Sequence, residues 1–396
     1  MKKIAVFSFF GYGHINPILP VVQQLSEMGN SIDFYSITPF KSKIQATGAH
    51  FKAYSPKIDY KDLLSGRDMI VFGHKLIKIS ELAAETILPM IEKDRPDCII
   101  HDGLCLWGKL IASKLNIPAI SYVTTFGISR RLIPTYPDVG IPLLFNSIIR
   151  PHLVIDTLYR YYRLIHQYKV KDGYMVDMLM NKEDFNIIFT SSVLQPLKKR
   201  FVEDYTFVGA SIYDRDKTDV MPNIQKGRKK LIYVSLGTIF NDDLPFYQNL
   251  VEIFADTPYQ VIISLGSRFK TSDLPKIPPN IIVANHVPQL DVLKKTDLFI
   301  THGGANSINE SIYFGVPMIL FPQMLEQRLN AKRIEKLGLG HYFRSTKLSK
   351  EQLLATIEEI LSNKEYYQKA EKFSETLKKA GGYKKAACLI SHYINR

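Results

Sequence analysis

The sequence predicts an α/β protein made of two Rossmann-like domains, each a mostly parallel sheet wrapped by helices. Three observations carry that reading. Short apolar runs of strand type alternate with helical segments along most of the chain. A strand that ends in a glycine turn and re-enters at once as a helix occurs twice, around Gly11-Tyr12-Gly13 and around Gly303-Gly304. The chain has 396 residues, too many for one ordinary core, so the two copies of the device fall in separate domains.

The first domain is expected over residues 1–212. Residues 4–9 read as its first buried strand, because the apolar run is broken at Gly11 and no small-residue cleavage site of a signal peptide follows. The loop from Phe10 leads to a helix beginning near Asn16 or Pro17, with Leu19, Val22 and Leu25 on its apolar face and a stop near Gly29-Asn30. Strands follow at 31–36 and 50–54, then a helix at 72–91, a strand whose tip is Asp102, a helix holding Trp107 and Leu110, and a strand at 119–123. Residues 124–145, rich in Pro, Gly and aromatics, resist regular assignment. Helical spacing resumes over 151–179, with Val154, Leu158, Tyr161 and Ile165 on one side and Arg160 and Arg163 on the other. Such a basic amphipathic helix suits peripheral contact with a membrane, although packing within the domain is the favoured reading. A strand at 185–190 precedes Phe207-Val208-Gly209, and the polar stretch 213–229 reads as a linker. Its Asp214-Arg215-Asp216 has no strand before it and reads as a charged turn, not a metal site.

The second domain, 230–380, opens with a strand at 231–235 and the turn Ser235-Leu236-Gly237-Thr238. Strands at 261–265 and 281–284 lead to a strand at 298–301 that stops at His302-Gly303-Gly304. A helix capped by Asn306 or Ser307 follows, closed by Phe314-Gly315, and Val316-Pro317 launches a strand at 318–321. The free N–H groups and positive dipole end of such a helix suit a phosphate. Glu310 lies four positions beyond Asn306 on the same face; it would repel a bare phosphate but can accept bonds from ribose hydroxyls. Glu326 and Gln327, at the next strand-to-helix turn, suit the hydroxyls of a sugar. The stretch reads as a nucleoside diphosphate site.

The first glycine turn lacks the full spacing of a dinucleotide fingerprint and offers His14 instead. At a helix start the dipole favours the neutral imidazole, which can take a proton. Tips of nearby parallel strands share one sheet edge, so Asp102 can reach the far nitrogen of His14; His101, pointing the other way, cannot.

Composition narrows the function. An apolar fraction of 46% excludes a disordered chain, and no apolar run is long enough to span a membrane. The net charge of +13 is spread along the sequence, densest at 226–230 and 378–385, so it reads as solvated helix faces that attract an anionic substrate, not as a nucleic-acid stripe. Cys98, Cys105 and Cys388 have no metal-type spacing and read as buried thiols of a reducing compartment, which with the rest implies a soluble cytoplasmic protein. The sequence carries no signal for oligomeric state.

Taken in order, His286-Val287-Pro288-Gln289, His302 to Ser307, Glu310, Gly315-Val316-Pro317, Glu326-Gln327 and Asn330-Ala331 resemble the donor signature of inverting nucleotide-sugar glycosyltransferases that modify macrolides, plant secondary metabolites and small lipophiles. One position departs: that family usually has Trp where this chain has His286, which offers a smaller ring to stack on uracil. The resemblance implies two facing domains of the GT-B fold with the active site in the interdomain cleft, and residues 381–396 folded back on the first domain. It implies a UDP-sugar, UDP-glucose foremost, as co-substrate with no further cofactor and no metal. Donor contacts would come from Gly13, Thr238, His286, Val287, Gln289, His302, Gly304, Asn306, Ser307, Glu310, Glu326 and Gln327. His14 would be the base, oriented by Asp102, while Phe10, Tyr12 and Phe126 would help wall the pocket of a macrolide, flavonoid or similar acceptor. Competing readings are a UDP-sugar epimerase on the same fold and a non-catalytic nucleotide-sugar binder.

Overall fold

The structure, a computed structural model, describes the chain apart from residues 65, 67, 128–134, 172–178, 215–220, 223, 225–228, 238–240 and 348 and the side chains of 138 and 139. It divides into two compact units, Met1–Ser211 with Ala380–Arg396, and Ile212–Lys379.

In the first unit, β1 (Lys3–Phe7), β2 (Ser31–Ser36), β3 (His50–Ala53), β4 (Cys98–Asp102), β5 (Ala119–Val123), β6 (Phe185–Ile188) and β7 (Thr206–Phe207) form a parallel sheet in the order β3-β2-β1-β4-β5-β6-β7. Its strands are continuous apolar runs because the sheet is covered on both faces: Ile4, Val6 and Phe7 of β1 and Ile99 and Ile100 of β4 are wholly buried. Strand order reverses between β1 and β4, and at such a switch point the loops diverge and leave a crevice at the carboxyl edge.

The helices correct several sequence readings. α1 (Tyr12–Glu27) starts well before Asn16, since an extended Gly11 serves as its N-cap. α2 (Met69–Asp94) begins where the Asp68 carboxylate accepts from the N–H groups of Ile70 and Val71. After α3 (Leu106–Leu115), the stretch read as irregular contains α4 (Pro137–Ile149), whose helical period is obscured by Pro142 and by its nearly uniform apolarity. Ile141, Leu144, Phe145, Ile148 and Ile149 form an exposed stripe on it. α5 (Pro151–Gln167) ends far short of 179, at a turn where Lys169 takes a positive φ. Its basic face is neutralised by neighbours: Arg160 pairs with Asp156 and with Glu81 of α2, and Arg163 pairs with Glu81. The C-terminal helix Gly382–Ile394 packs on α1; the Gly382 N–H donates to the Val208 carbonyl at 2.6 Å and the Tyr393 ring stacks on Phe185. Cys98 and Cys105 are buried as expected, but Cys388, on this last helix, is exposed.

The second unit holds β8 (Leu231–Ser235), β9 (Gln260–Ser264), β10 (Ile281–Ala284), β11 (Leu298–Thr301), β12 (Met318–Leu320) and β13 (Gly340–Tyr342), all parallel, in the order β10-β9-β8-β11-β12-β13. Here the switch point lies between β8 and β11. β13, too short to register as a periodic run, needs Gly340 because a Cβ there would come within 2.0 Å of the Met318 carbonyl oxygen. Helices α6 (Leu244–Phe254), α7 (Gln289–Leu293), α8 (Ala305–Tyr313), α9 (Leu325–Lys336), α10 (Lys350–Ser362) and α11 (Lys364–Lys379) complete the unit. Its core joins Phe246, Tyr247 and Phe254 of α6 to Ile300, Phe321 and Ile357. Among the described residues no helix is long and apolar enough to cross a membrane.

Candidate active site

Each unit carries a cluster of polar side chains at its own switch point. In the first, β1 delivers the chain through Ser8–Gly11 into α1, and the extended Gly11 lets the helix start at once, which places His14 in its first turn. The His14 Nδ1 lies 2.8 Å from Oδ2 of Asp102, at the tip of β4. Asp102 is itself fixed, since the Leu104 N–H donates to its Oδ1 at 2.8 Å, and it is 2% exposed. An ionised carboxylate only accepts, so the ring proton belongs on Nδ1 and Nε2 carries the lone pair. The Phe9 ring meets the imidazole edge-on at 5.0 Å. Tyr54, Tyr122 and Cys105 act on the Asp102 carboxylate electrostatically; burial above all pushes each well above its ordinary pKa, so they stay neutral. His101 turns away to Glu183, at 3.0 Å, as strand alternation requires.

The aromatic residues of this region separate into two kinds. Tyr12 is exposed, braced edge-on by Phe40 and capped by the Lys43 ammonium at 5.1 Å. Phe10 is buried, its ring stacked on Trp107 and flanked by Tyr54 and Tyr60, so it builds the wall from behind and does not present a face to a ligand. Phe126 is likewise 6% exposed, in a loop clamped by two hydrogen bonds between Gln195 and the Gly127 backbone. Gly13, beside His14, is exposed.

In the second unit, β11 ends at His302 and the turn Gly303-Gly304. Gly303 takes a φ of +84°, and Gly304, extended, is the N-cap of α8. Neither Asn306 nor Ser307 caps the helix, contrary to the sequence reading: both lie in its first turn, and no side chain takes the capping position. The helix thus starts without a side-chain cap at its N-cap position, and a helix N-terminus is a place where an anion can bind. His302 is wedged between two turns. A Cβ added at Gly237, after β8, would lie 2.6 Å from its Cε1, and one at Gly304 would lie 2.6 Å from its Nε2. Removal from water pushes the His302 pKa down to about 4, against the opposing pull of a hydrogen bond with the Ser235 backbone. The ring is neutral at physiological pH and brings no positive charge; its single N–H can serve either the Ser235 backbone or a phosphate, not both at once.

Other candidate donor residues fall around this turn. Glu310 is 3% exposed, and Gln289 donates to its Oε2 at 2.6 Å while accepting from the Tyr233 hydroxyl. Gln327 is drawn into its own turn, its carboxamide oxygen accepting from the N–H groups of Gln323 and Met324. Glu326 accepts from Asn330, whose Nδ2 also donates to the Gly303 carbonyl, so Asn330 ties the α8 turn to the α9 turn. His286 is exposed beside a buried Val287. Thr238 lies outside the described residues. Among the described residues no group of His, Cys, Asp and Glu has the arrangement of a metal site.

Two parallel-sheet units of this topology, each with a glycine turn and helix start at its switch point, are the architecture of the GT-B fold. A solved structure of the kitacinnamycin glycotransferase is 25% identical, matches with a TM-score of 0.86, and the match covers 99% of this chain and 98% of that one. Residues 152–380 match the UDP-glucoronosyl and UDP-glucosyl transferase family, and the chain belongs to that family. It is 32% identical to the Uncharacterized UDP-glucosyltransferase YojK of Bacillus subtilis (strain 168), across 100% of this chain and 98% of the relative. It is also 27% identical to the Oleandomycin glycosyltransferase of Streptomyces antibioticus, across 98% of this chain and 90% of the relative.

Proposed function

We propose that the protein transfers a sugar, glucose foremost, from its UDP conjugate to a hydroxyl of a small lipophilic acceptor, with inversion and with His14 as general base. The observation that carries this reading is the His14–Asp102 bond of 2.8 Å, because it leaves Nε2 as the nitrogen able to accept a proton. In the reaction Nε2 takes the proton of the acceptor hydroxyl as its oxygen attacks the anomeric carbon. The bond from that carbon to the diphosphate oxygen breaks, and UDP leaves with the electron pair. An α-linked donor yields a β-glycoside. Asp102 stabilises the imidazolium that forms, and general-base catalysis of this kind contributes about 10²- to 10⁴-fold.

The first-turn N–H groups of α8 and the neutral His302 would hold the diphosphate and stabilise the charge that develops on it, through hydrogen bonds and the helix dipole. Glu310, held by Gln289, would receive ribose hydroxyls, and Glu326 a sugar hydroxyl. The relative named for oleandomycin and the exposed Tyr12 ring near His14 support this acceptor class. The test is a mass-spectrometric screen of UDP-sugars against phenolic, macrolide and sterol acceptors, with and without chelator. A β-glycoside formed only with acceptor present supports the reading. A new UDP-sugar formed without acceptor would establish an epimerase instead, and no turnover with any pair would leave a binder.

A further inference from the structure

Three adjacent strand ends converge on one imidazole nitrogen. β1 leads into the helix that carries His14, β4 ends in Asp102, and β5 runs directly into Thr124. The His14 Nδ1 has two oxygens beside it, Asp102 Oδ2 at 2.8 Å and Thr124 Oγ1 at 3.1 Å. Both side chains are nearly sealed, at 2% and 4% exposure. A buried hydroxyl requires a partner, and among the described residues His14 is the one to which the Thr124 hydroxyl bonds. The direction of that bond follows from Asp102. If the threonine donated to Nδ1, that nitrogen would turn a lone pair toward a carboxylate 2.8 Å away; the threonine oxygen must therefore accept, sharing the Nδ1 proton.

We propose that Thr124 is a positioning residue for the base: its oxygen takes the second share of the Nδ1 proton, which fixes the ring plane, holds the tautomer with Nε2 unprotonated and adds a second acceptor for the imidazolium formed during transfer. This rests on His14 being the base. The Phe9 ring against the imidazole contributes no charge, and the Asp102 carboxylate is ion-paired to the ring at 2.8 Å. Loss of the Thr124 acceptor disfavours the imidazolium and moves the acid limb of the rate profile to lower pH.

The test compares Thr124→Val, which keeps shape and deletes the hydroxyl, with Thr124→Ser, which keeps the hydroxyl, in the full-length enzyme with UDP-glucose and the best acceptor from the screen. T124V is expected to lower kcat about 3- to 10-fold, the worth of one hydrogen bond, with the KM for UDP-glucose unchanged and the acid limb of kcat/KM displaced to lower pH. T124S is expected to restore both. A wild-type rate and profile in T124V, while His14→Ala is inactive, would overturn the role of Thr124 and leave the base in place; an active H14A would remove the base reading itself. A T124V defect that tracks a lowered Tm and is not rescued by serine would make the contact one of packing and also overturn the proposal.

Discussion

Replacing Gly237 with alanine perturbs the candidate donor site at a single point. The residue has a φ of +82°, and its new Cβ would stand 2.6 Å from Cε1 and 2.8 Å from Nε2 of His302. Carbon contacts relax only near 3.5 Å, so the ring or the turn must give by about 0.9 Å, enough to spoil a directional hydrogen bond. Two costs follow. The left-handed backbone is strained by about 1–2 kcal/mol, which lowers the Tm of a unit this size by about 2–8 °C. If His302 holds the diphosphate as proposed, its displacement removes a hydrogen bond to a charged phosphate, worth about 1.5–3 kcal/mol, or about 10- to 100-fold in the Kd for UDP. Gly315→Ala separates the two: its φ is +72°, but a Cβ there meets nothing within 4 Å. Calorimetric titration of UDP, beside a thermal melt, should show both variants losing stability and G237A alone losing affinity. Wild-type affinity in G237A, or equal affinity losses in both, would refute the placement of His302 at the diphosphate.

Other outcomes are expected at the remaining residues. Asp102→Asn is expected to lower kcat about 10²-fold or more with the KM for UDP-glucose little changed, since a neutral amide gives the imidazolium no charge and can turn its NH2 toward Nδ1, favouring the wrong tautomer; steady-state kinetics checks this. The His302 pKa, depressed from 6.5 to about 4, has a signed consequence. Between those values the unfolded chain binds the proton and the folded one does not, so the contribution is fully present above pH 6.5 and is lost as pH falls toward 4. His302→Gln should flatten the dependence of Tm on pH across that window. Asn330→Ala strips donors from the Gly303 carbonyl and Glu326, and melts are expected to show a loss of about 1–3 kcal/mol, with weaker UDP binding in titration.

The architecture was legible wherever strands were buried on both faces, because a run such as residues 298–301 ending in two glycines admits few alternatives. His14 and Asp102 could be placed within reach of each other because tips of nearby parallel strands share an edge, and the family resemblance supplied their roles. Readings failed where local chemistry competes with pattern. α4 was missed because Pro142 and an almost uniformly apolar sequence hide its period, and α5 was overextended because nothing in the sequence marks the positive φ of Lys169. The sequence points to Asn306 or Ser307 as the α8 cap because both are strong capping types, whereas the extended Gly304 takes the position without a side-chain cap. Burial of Phe10, the inward turn of Gln327 and the hydroxyl of Thr124 against His14 depend on tertiary neighbours. The one sequence signal for Thr124 is its position directly after β5, on the strand next to the one that ends in Asp102.

The central claim is that the residues at the two switch points divide the work, His14 moving the proton and the α8 turn holding the nucleotide. Pre-steady-state transfer by His14→Ala, measured on the same preparation as UDP titration, tests it most directly. The rate of glycoside formation is expected to fall at least 10²-fold while the Kd for UDP stays within about twofold of wild type. A variant that transfers sugar at the wild-type rate, or that loses UDP binding along with activity, would contradict it.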